Sequence, residues 1–184
     1  MKRRHSAEPR FADRWQAGQF LGDALAPFVA DVRPADRVVL GLARGGVVVA
    51  AEVAARLGAI LDAIVVRKIG SPFQPELAIG AVGPEGVRVF NRGVVADLGL
   101  TEPEVSDLAD QVARTRDLLN DELRGGRPAA RLEGKLAILV DDGLATGASM
   151  RAAVTYARRT ASAVIVAVPT AAPDVLATFE THGT

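Results

Sequence analysis

The sequence predicts an α/β domain: a mainly parallel open sheet with helices on both faces. Three observations carry that prediction. Four short runs of aliphatic residues, at 38–42, 60–66, 136–140 and 164–168, lack the apolar–polar alternation of a half-exposed strand, which fits strands covered on both faces. The runs recur in a strand–loop–helix order, the signature of a parallel sheet with crossover helices. The 184 residues suit one substantial domain and are few for two. The expected organisation is a loose polar arm over residues 1–10 and a single domain over 11–184.

The elements follow in order. Phe11, Trp15, Phe20, Leu21, Leu25 and Phe28 recur every three to five residues with Asp13 and Asp23 between them, predicting an amphipathic helix over 11–30. Pro34 marks a turn, and 38–42 is the first strand. Residues 43–46 form a loop, 47–57 a helix capped by Gly58, and 60–66 a second strand. Gly70, Pro72, Pro75, Gly80, Gly83, Pro84 and Gly86 then interrupt the pattern. That segment, to about Asn91, is predicted as a loop with short strands near 77–82 and 87–90. Thr101-Glu-Pro-Glu104 reads as a helix start, with a capping Thr, Pro in the first turn and Glu three residues on. This helix runs to Arg124 and stops at Gly125-Gly126. A third strand at 136–140, a loop at 141–147, a helix at 148–159, a fourth strand at 164–168 and a helix from Pro173 complete the chain.

Composition removes several classes of function. With no cysteine there is no disulfide framework, thiolate metal site or Cys nucleophile. The two histidines, His5 and His182, lie near the termini, which disfavours a histidine triad or zinc site. Acidic and basic residues number 22 each, for a net charge of zero; a broad nucleic-acid or membrane surface needs a basic excess. The basic residues are 19 Arg and only three Lys, at positions 2, 68 and 135. The N-terminus lacks the apolar core of a signal peptide, and the longest uncharged run, 160–173, is too short to span a bilayer. A soluble cytoplasmic protein is expected.

In parallel sheets ligands bind at the carboxyl ends of strands, so the loops at 43–46, 67–76 and 141–149 hold the candidate chemistry. The richest is Leu139-Val-Asp-Asp-Gly-Leu-Ala-Thr-Gly-Ala-Ser149. A strand delivers two adjacent carboxylates, Asp141 and Asp142. Small residues follow, Thr146 and Ser149 offer hydroxyls, and a helix begins at once. Small residues and free N–H groups at a helix N-terminus form an anion pocket that suits phosphate. Two carboxylates beside it suit ribose hydroxyls and positive charge developing on a sugar ring. An acidic pair alone also fits a strand end that simply caps the next helix; it is the eleven-residue arrangement that points to a sugar phosphate. There is no P-loop, no Gly-x-Ser-x-Gly elbow and no His-Glu-x-x-His. At 41–46, Ala43 stands where a dinucleotide fingerprint needs its second glycine.

The segment from Val140 to Ser149 resembles the phosphoribosyl pyrophosphate (PRPP) motif of type I phosphoribosyltransferases, and its Leu-Ala-Thr-Gly portion is especially similar to adenine phosphoribosyltransferases. Leu42-Ala-Arg-Gly-Gly46 resembles the family's pyrophosphate loop, in which backbone N–H groups, often beside a non-proline cis peptide, hold pyrophosphate. Arg67-Lys68, at the end of the second predicted strand, matches a basic position that contacts pyrophosphate. The stretch from Gly70 to Asn91 corresponds to a mobile flap, taken as 68–91. Phe11 to Gly18 and the region from Arg67 to Ala81 look like a bacterial subgroup of predicted phosphoribosyltransferases whose acceptor is not established.

The resemblance implies transfer of phosphoribose from PRPP to a nitrogen acceptor, usually a base, through an oxocarbenium-like transition state with release of pyrophosphate. By position, Asp141 and Asp142 bind the ribose hydroxyls and carry the catalytic role. Ala145, Thr146, Gly147, Ala148 and Ser149 bind the 5-phosphate. Arg44, Gly45, Arg67 and Lys68 hold pyrophosphate. Magnesium is the implied cofactor, held through PRPP and water rather than by direct protein ligands. The general base is not identifiable: Ala145 stands where hypoxanthine-guanine enzymes have Asp, and Glu76 is a flap candidate that also reads as a solvated carboxylate. The subgroup usually continues past Thr184, so a shortened form lacking a sheet edge and part of the acceptor pocket is expected. Helix 102–124 either covers the sheet or pairs with a second subunit. The alternative to an enzyme is a non-catalytic PRPP-sensing protein of the same fold.

Overall fold

The computed structural model describes residues 11–180, so the arm expected at 1–10 and residues 181–184 lie outside the described residues. Four parallel strands, β1 (Arg37–Leu42), β2 (Ile60–Ile64), β6 (Leu136–Val140) and β7 (Ala163–Ala167), form the main sheet in the order β2-β1-β6-β7. Both faces of the central strands β1 and β6 are covered, as their continuous apolar runs require, whereas the edge strands β2 and β7, expected to be buried, are partly exposed, Ile60 and Leu61 most of all. Val38, Leu40, Leu42, Ala137 and Leu139 pack against helix α5 (Ala148–Ala157) through Met150, Ala152 and Ala153. Val39, Ile138 and Val140 face helix α2 (Gly45–Leu57) through Val49, Ala50, Val53 and Ala54.

Helix α1 (Arg14–Leu25) is shorter than the 11–30 expected, because the segment Ala26–Val29, which contains Pro27, turns as a 3-10 helix. Pro has no N–H to continue an α-helical ladder. Its apolar stripe also differs from the expected one. Ala17, Gly18, Gly22 and Leu25 are the buried residues, while Trp15, Phe20 and Phe28 are exposed. The small residues let α1 lie directly on α2: a Cβ on Gly18 would come within 2.6 Å of the Val49 carbonyl oxygen. Spacing reveals a helix but cannot tell a stripe of large residues from a stripe of small ones as the buried face.

Between β2 and β6 lies a second, antiparallel sheet of β3 (Arg67–Gly70), β4 (Ala78–Val82) and β5 (Arg88–Phe90). The latter two match expectation. Strand β3 lies where the sequence predicts the end of a strand and a loop, and the second main strand ends at Ile64 rather than 66. With two charged residues and a terminal glycine, β3 has little strand signature; its pairing with β4 supplies what its sequence does not. Helix α3 (Arg92–Asp97) is a further element the sequence reading lacks, although Asn91 caps it by accepting from the Val94 N–H. Helix α4 (Glu102–Arg124) carries the predicted capping box, with Thr101 and Glu104 bonded reciprocally. It covers the small sheet, where Ala109 packs with Ile69, Ile79 and Val82. Asp62 on β2 ties the end of α4 down, accepting from both terminal nitrogens of Arg124 and from the Ala130 N–H. Helix α6 (Pro173–Glu180) closes the described chain. Among the described residues no helix is long and apolar enough to cross a membrane.

Candidate functional site

The main sheet brings two of the three candidate loops together by register. Gly41 pairs with Val140, so β1 and β6 end side by side and release the loops 43–46 and 141–147 at the same edge. The next segments, α2 and α5, cross opposite faces, which opens a crevice between the loops, where α/β sheets bind ligands.

The peptide between Ala43 and Arg44 is cis, as the resemblance implies for a pyrophosphate loop. Gly45 and Gly46 open α2 directly against the acidic pair. A Cβ on Gly45 would fall 2.2 Å from Oδ2 of Asp142, and one on Gly46 would fall 2.9 Å from Oδ1 of Asp141. Only glycine admits both carboxylates this close. Arg44 precedes the helix with an exposed side chain.

Asp141 and Asp142 lie partly buried, and Oδ1 of Asp141 accepts from the Asp142 N–H at 2.9 Å. Burial pushes the Asp141 carboxyl up to about 6; that N–H opposes the rise, the Asp142 charge adds to it, and the Lys68 ammonium opposes it. Lys68 therefore bears on the acidic pair. Arg67 and Lys68 open β3 instead of ending β2, and successive strand residues leave opposite faces. Arg67 pairs with Val82 and Lys68 with Ala81, both side chains are exposed, and neither makes a hydrogen bond or ion pair to the acidic pair among the described residues.

Ala145 and Thr146 are exposed in the loop ahead of α5, whose N-cap is Gly147. Among the described residues, the N–H groups of Ala145, Thr146, Gly147, Ala148 and Ser149 meet no acceptor in the protein. Five free donors at a helix N-terminus are the chemistry of an anion cradle. Glu76 is exposed in the turn between β3 and β4.

Two residues of the site are not among the expected binding residues. Arg151 on α5 donates to the Thr146 carbonyl at 2.8 Å and to Thr178 Oγ1 at 3.0 Å, and its guanidinium lies 5.5 Å from the Phe179 ring centre. It braces the cradle against α6. Arg14, in the first turn of α1, donates its Nε to Asp142 Oδ2 at 2.7 Å across 128 positions of sequence. Arg14 falls within the segment from Phe11 to Gly18 and Arg151 on a helix with no such signal, and only the folded chain brings either to the loops.

Comparison with known proteins shows the family and the fold. Residues 23–175 match the phosphoribosyl transferase domain family. A Mycobacterium tuberculosis H37Rv protein named "Putative phosphoribosyl transferase" is 44% identical over 170 residues, covering 92% of this chain. The chain spans only 38% of that relative's length. A crystal structure of a Thermus thermophilus protein superposes with a TM-score of 0.74 at 43% identity, covering 95% of this chain and 82% of the other. A Staphylococcus aureus hypoxanthine phosphoribosyltransferase, 11% identical with a TM-score of 0.51, shares the fold over 94% of this chain and 84% of its own.

Proposed function

The chain belongs to the phosphoribosyl transferase domain family, and from that premise we propose that it binds PRPP with magnesium and transfers the phosphoribosyl group to a nitrogen acceptor, a nucleobase in the first instance, releasing pyrophosphate. One observation carries the reading: two adjacent carboxylates stand between the glycine loop at 45–46, which packs on them, and a row of unpaired N–H groups at the start of α5. The ligand that matches such a site carries a diol flanked by two anionic groups.

In this reading Asp141 and Asp142 accept the ribose hydroxyls and stabilise positive charge as the C1 bond to pyrophosphate breaks. The N–H groups from Ala145 to Ser149 take the 5-phosphate, with the Thr146 and Ser149 hydroxyls beside them. Arg44, the Gly45 backbone, Arg67 and Lys68 take the pyrophosphate, Arg67 and Lys68 from the start of β3. Hydrated magnesium suits the donor set, since Asp141 and Asp142 offer two hard carboxylates side by side. That ion keeps much of its water and binds phosphates through few protein ligands. When bound, it would neutralise charge on the departing pyrophosphate. Of the flap expected at 68–91, β3 and β4 are packed against α4, and it is the exposed turn at 72–76 between them that would close over the ligand and exclude water.

Calorimetry with Mg-PRPP tests binding, and pyrophosphate release with a panel of nucleobases tests transfer. Micromolar binding with base-dependent release is expected. Absence of PRPP binding defeats the proposal. Tight binding without release under any base points to the sensing role.

A further inference from the structure

Arg14 forms a contact that stability does not explain. Its side chain is 59% exposed and that of Asp142 32% exposed, and an ion pair so open to water contributes little to folding. Nor does α1 need it as an anchor, because Ala17, Gly18, Gly22 and Leu25 already seat the helix on the rest of the domain. What the contact does is local. Asp13 caps α1 by accepting from the Gln16 N–H at 2.8 Å, which holds Arg14 in the first turn at the mouth of the crevice. The guanidinium meets Oδ2 of Asp142, the oxygen that also faces Gly45. It therefore sits on the seam between the acidic pair and the loop at 43–46.

Only one of its nitrogens is used there. Nε donates to Asp142, and neither terminal nitrogen has a partner among the described residues. A guanidinium is a rigid fork that can hold a carboxylate along one edge and present donors to an oxyanion along another, which an ammonium on a flexible stem cannot do from one position.

We infer that Arg14 is a further ligand-binding residue of this site, fixing the Asp142 carboxylate through Nε while its terminal nitrogens donate to the diphosphate group of the ligand. The inference rests on the phosphoribosyl reading above. It gives the N-terminal helix a part in binding: α1 supplies a cation to the diphosphate side, opposite the one that Lys68 supplies from β3.

The test is calorimetry of the wild-type chain, Arg14→Ala and Arg14→Lys with Mg-pyrophosphate and, separately, with ribose 5-phosphate, alongside thermal melts. Loss of charge-assisted bonds predicts pyrophosphate affinity about ten- to a hundredfold weaker in Arg14→Ala. Ribose 5-phosphate affinity changes less than about threefold, the melting temperature is nearly unchanged, and Arg14→Lys stays closer to Arg14→Ala than to wild type. Should Arg14→Ala fold poorly, Arg14→Gln, which keeps a donor for Asp142 and removes the charge, takes its place. Unchanged pyrophosphate binding in the variants, or equal losses for both ligands, overturns the inference and leaves the phosphoribosyl reading standing. A wild-type chain that binds neither ligand overturns both.

Discussion

Gly45 and Asp142 approach more closely than any side chain at position 45 would permit: a methyl group on Gly45 would lie 2.2 Å from Oδ2 and 2.7 Å from Cγ of Asp142. The glycine is thus part of how the carboxylate is aimed. Gly45→Ala must push the Asp142 side chain out of its position, and with it the contact to Arg14. The expected result is at least a roughly tenfold loss of PRPP affinity, the scale of one charge-assisted hydrogen bond. Calorimetry reads it, and circular dichroism shows whether the fold persists.

The acidic pair itself is tested by Asp141→Asn combined with Asp142→Asn. Each amide keeps one acceptor oxygen but carries no charge and turns the other oxygen into a donor, so Mg-PRPP binding is expected to vanish while the domain still folds. Undiminished affinity in the double variant contradicts the site. In the same assay Lys68→Ala is expected to weaken pyrophosphate more than ribose 5-phosphate; equal losses contradict its assignment to the diphosphate side.

The Asp141 carboxyl titrates near 6 because it is buried and faces Asp142. The native state then holds this proton more tightly than the unfolded chain, whose carboxyl titrates near 3.8. The resulting stabilisation is present below about 4 and is lost as pH rises through about 6, amounting to roughly 2–3 kcal/mol before solvent screening reduces it. Thermal melts of wild type against Asp141→Asn should diverge in that window, with wild type losing ground as pH rises. Binding to an ionised Asp141 should conversely strengthen through the same window. Asp142→Asn should move the midpoint down and Lys68→Ala should move it up; shifts in the same direction exclude this electrostatic account.

Arg151 holds the Thr146 carbonyl and so the shape of the loop ahead of α5. Arg151→Ala leaves that carbonyl without its charged donor, and ribose 5-phosphate affinity should fall about tenfold, the typical weight of such a bond. Pyrophosphate binding should change little. The comparison of the two ligands distinguishes local loosening from general damage.

Where the first two helices meet, Gly18 lets α1 touch α2: a methyl group on Gly18 would lie 2.6 Å from the Val49 carbonyl oxygen and 2.7 Å from the Glu52 Cβ. Gly18→Ala should separate the helices and cost about 1–3 kcal/mol by overpacking. Chemical denaturation checks this, with Ala12→Gly at an exposed position ahead of α1 as the surface reference.

Much of the main sheet was legible because its signals are local. The runs at 38–42 and 136–140 must be strands buried on both faces, since nothing polar interrupts them, and Thr101 to Glu104 carries a complete helix start. The loop from Leu139 to Ser149 was legible for the same reason: acids, small residues and hydroxyls follow one another in a single stretch. Strand β3 was not, because Arg67-Lys-Ile-Gly70 becomes a strand only by pairing with β4. The aromatic residues of α1 misled for a related reason: period identifies a helix, but the face it buries depends on what it meets, and α2 meets Ala17, Gly18 and Gly22.

The sequence by itself determined the α/β class, the strands β1 and β6, and the acidic and glycine-rich segments that follow them, all set by neighbours within a short stretch of chain. Tertiary structure alone decided which cations face the acids. Packing of α1 carries Arg14 across 128 residues to Asp142, and α5 carries Arg151 to the Thr146 carbonyl. A charge has no period or motif of its own, and its partner is chosen by the packing of whole elements, which only the folded chain supplies.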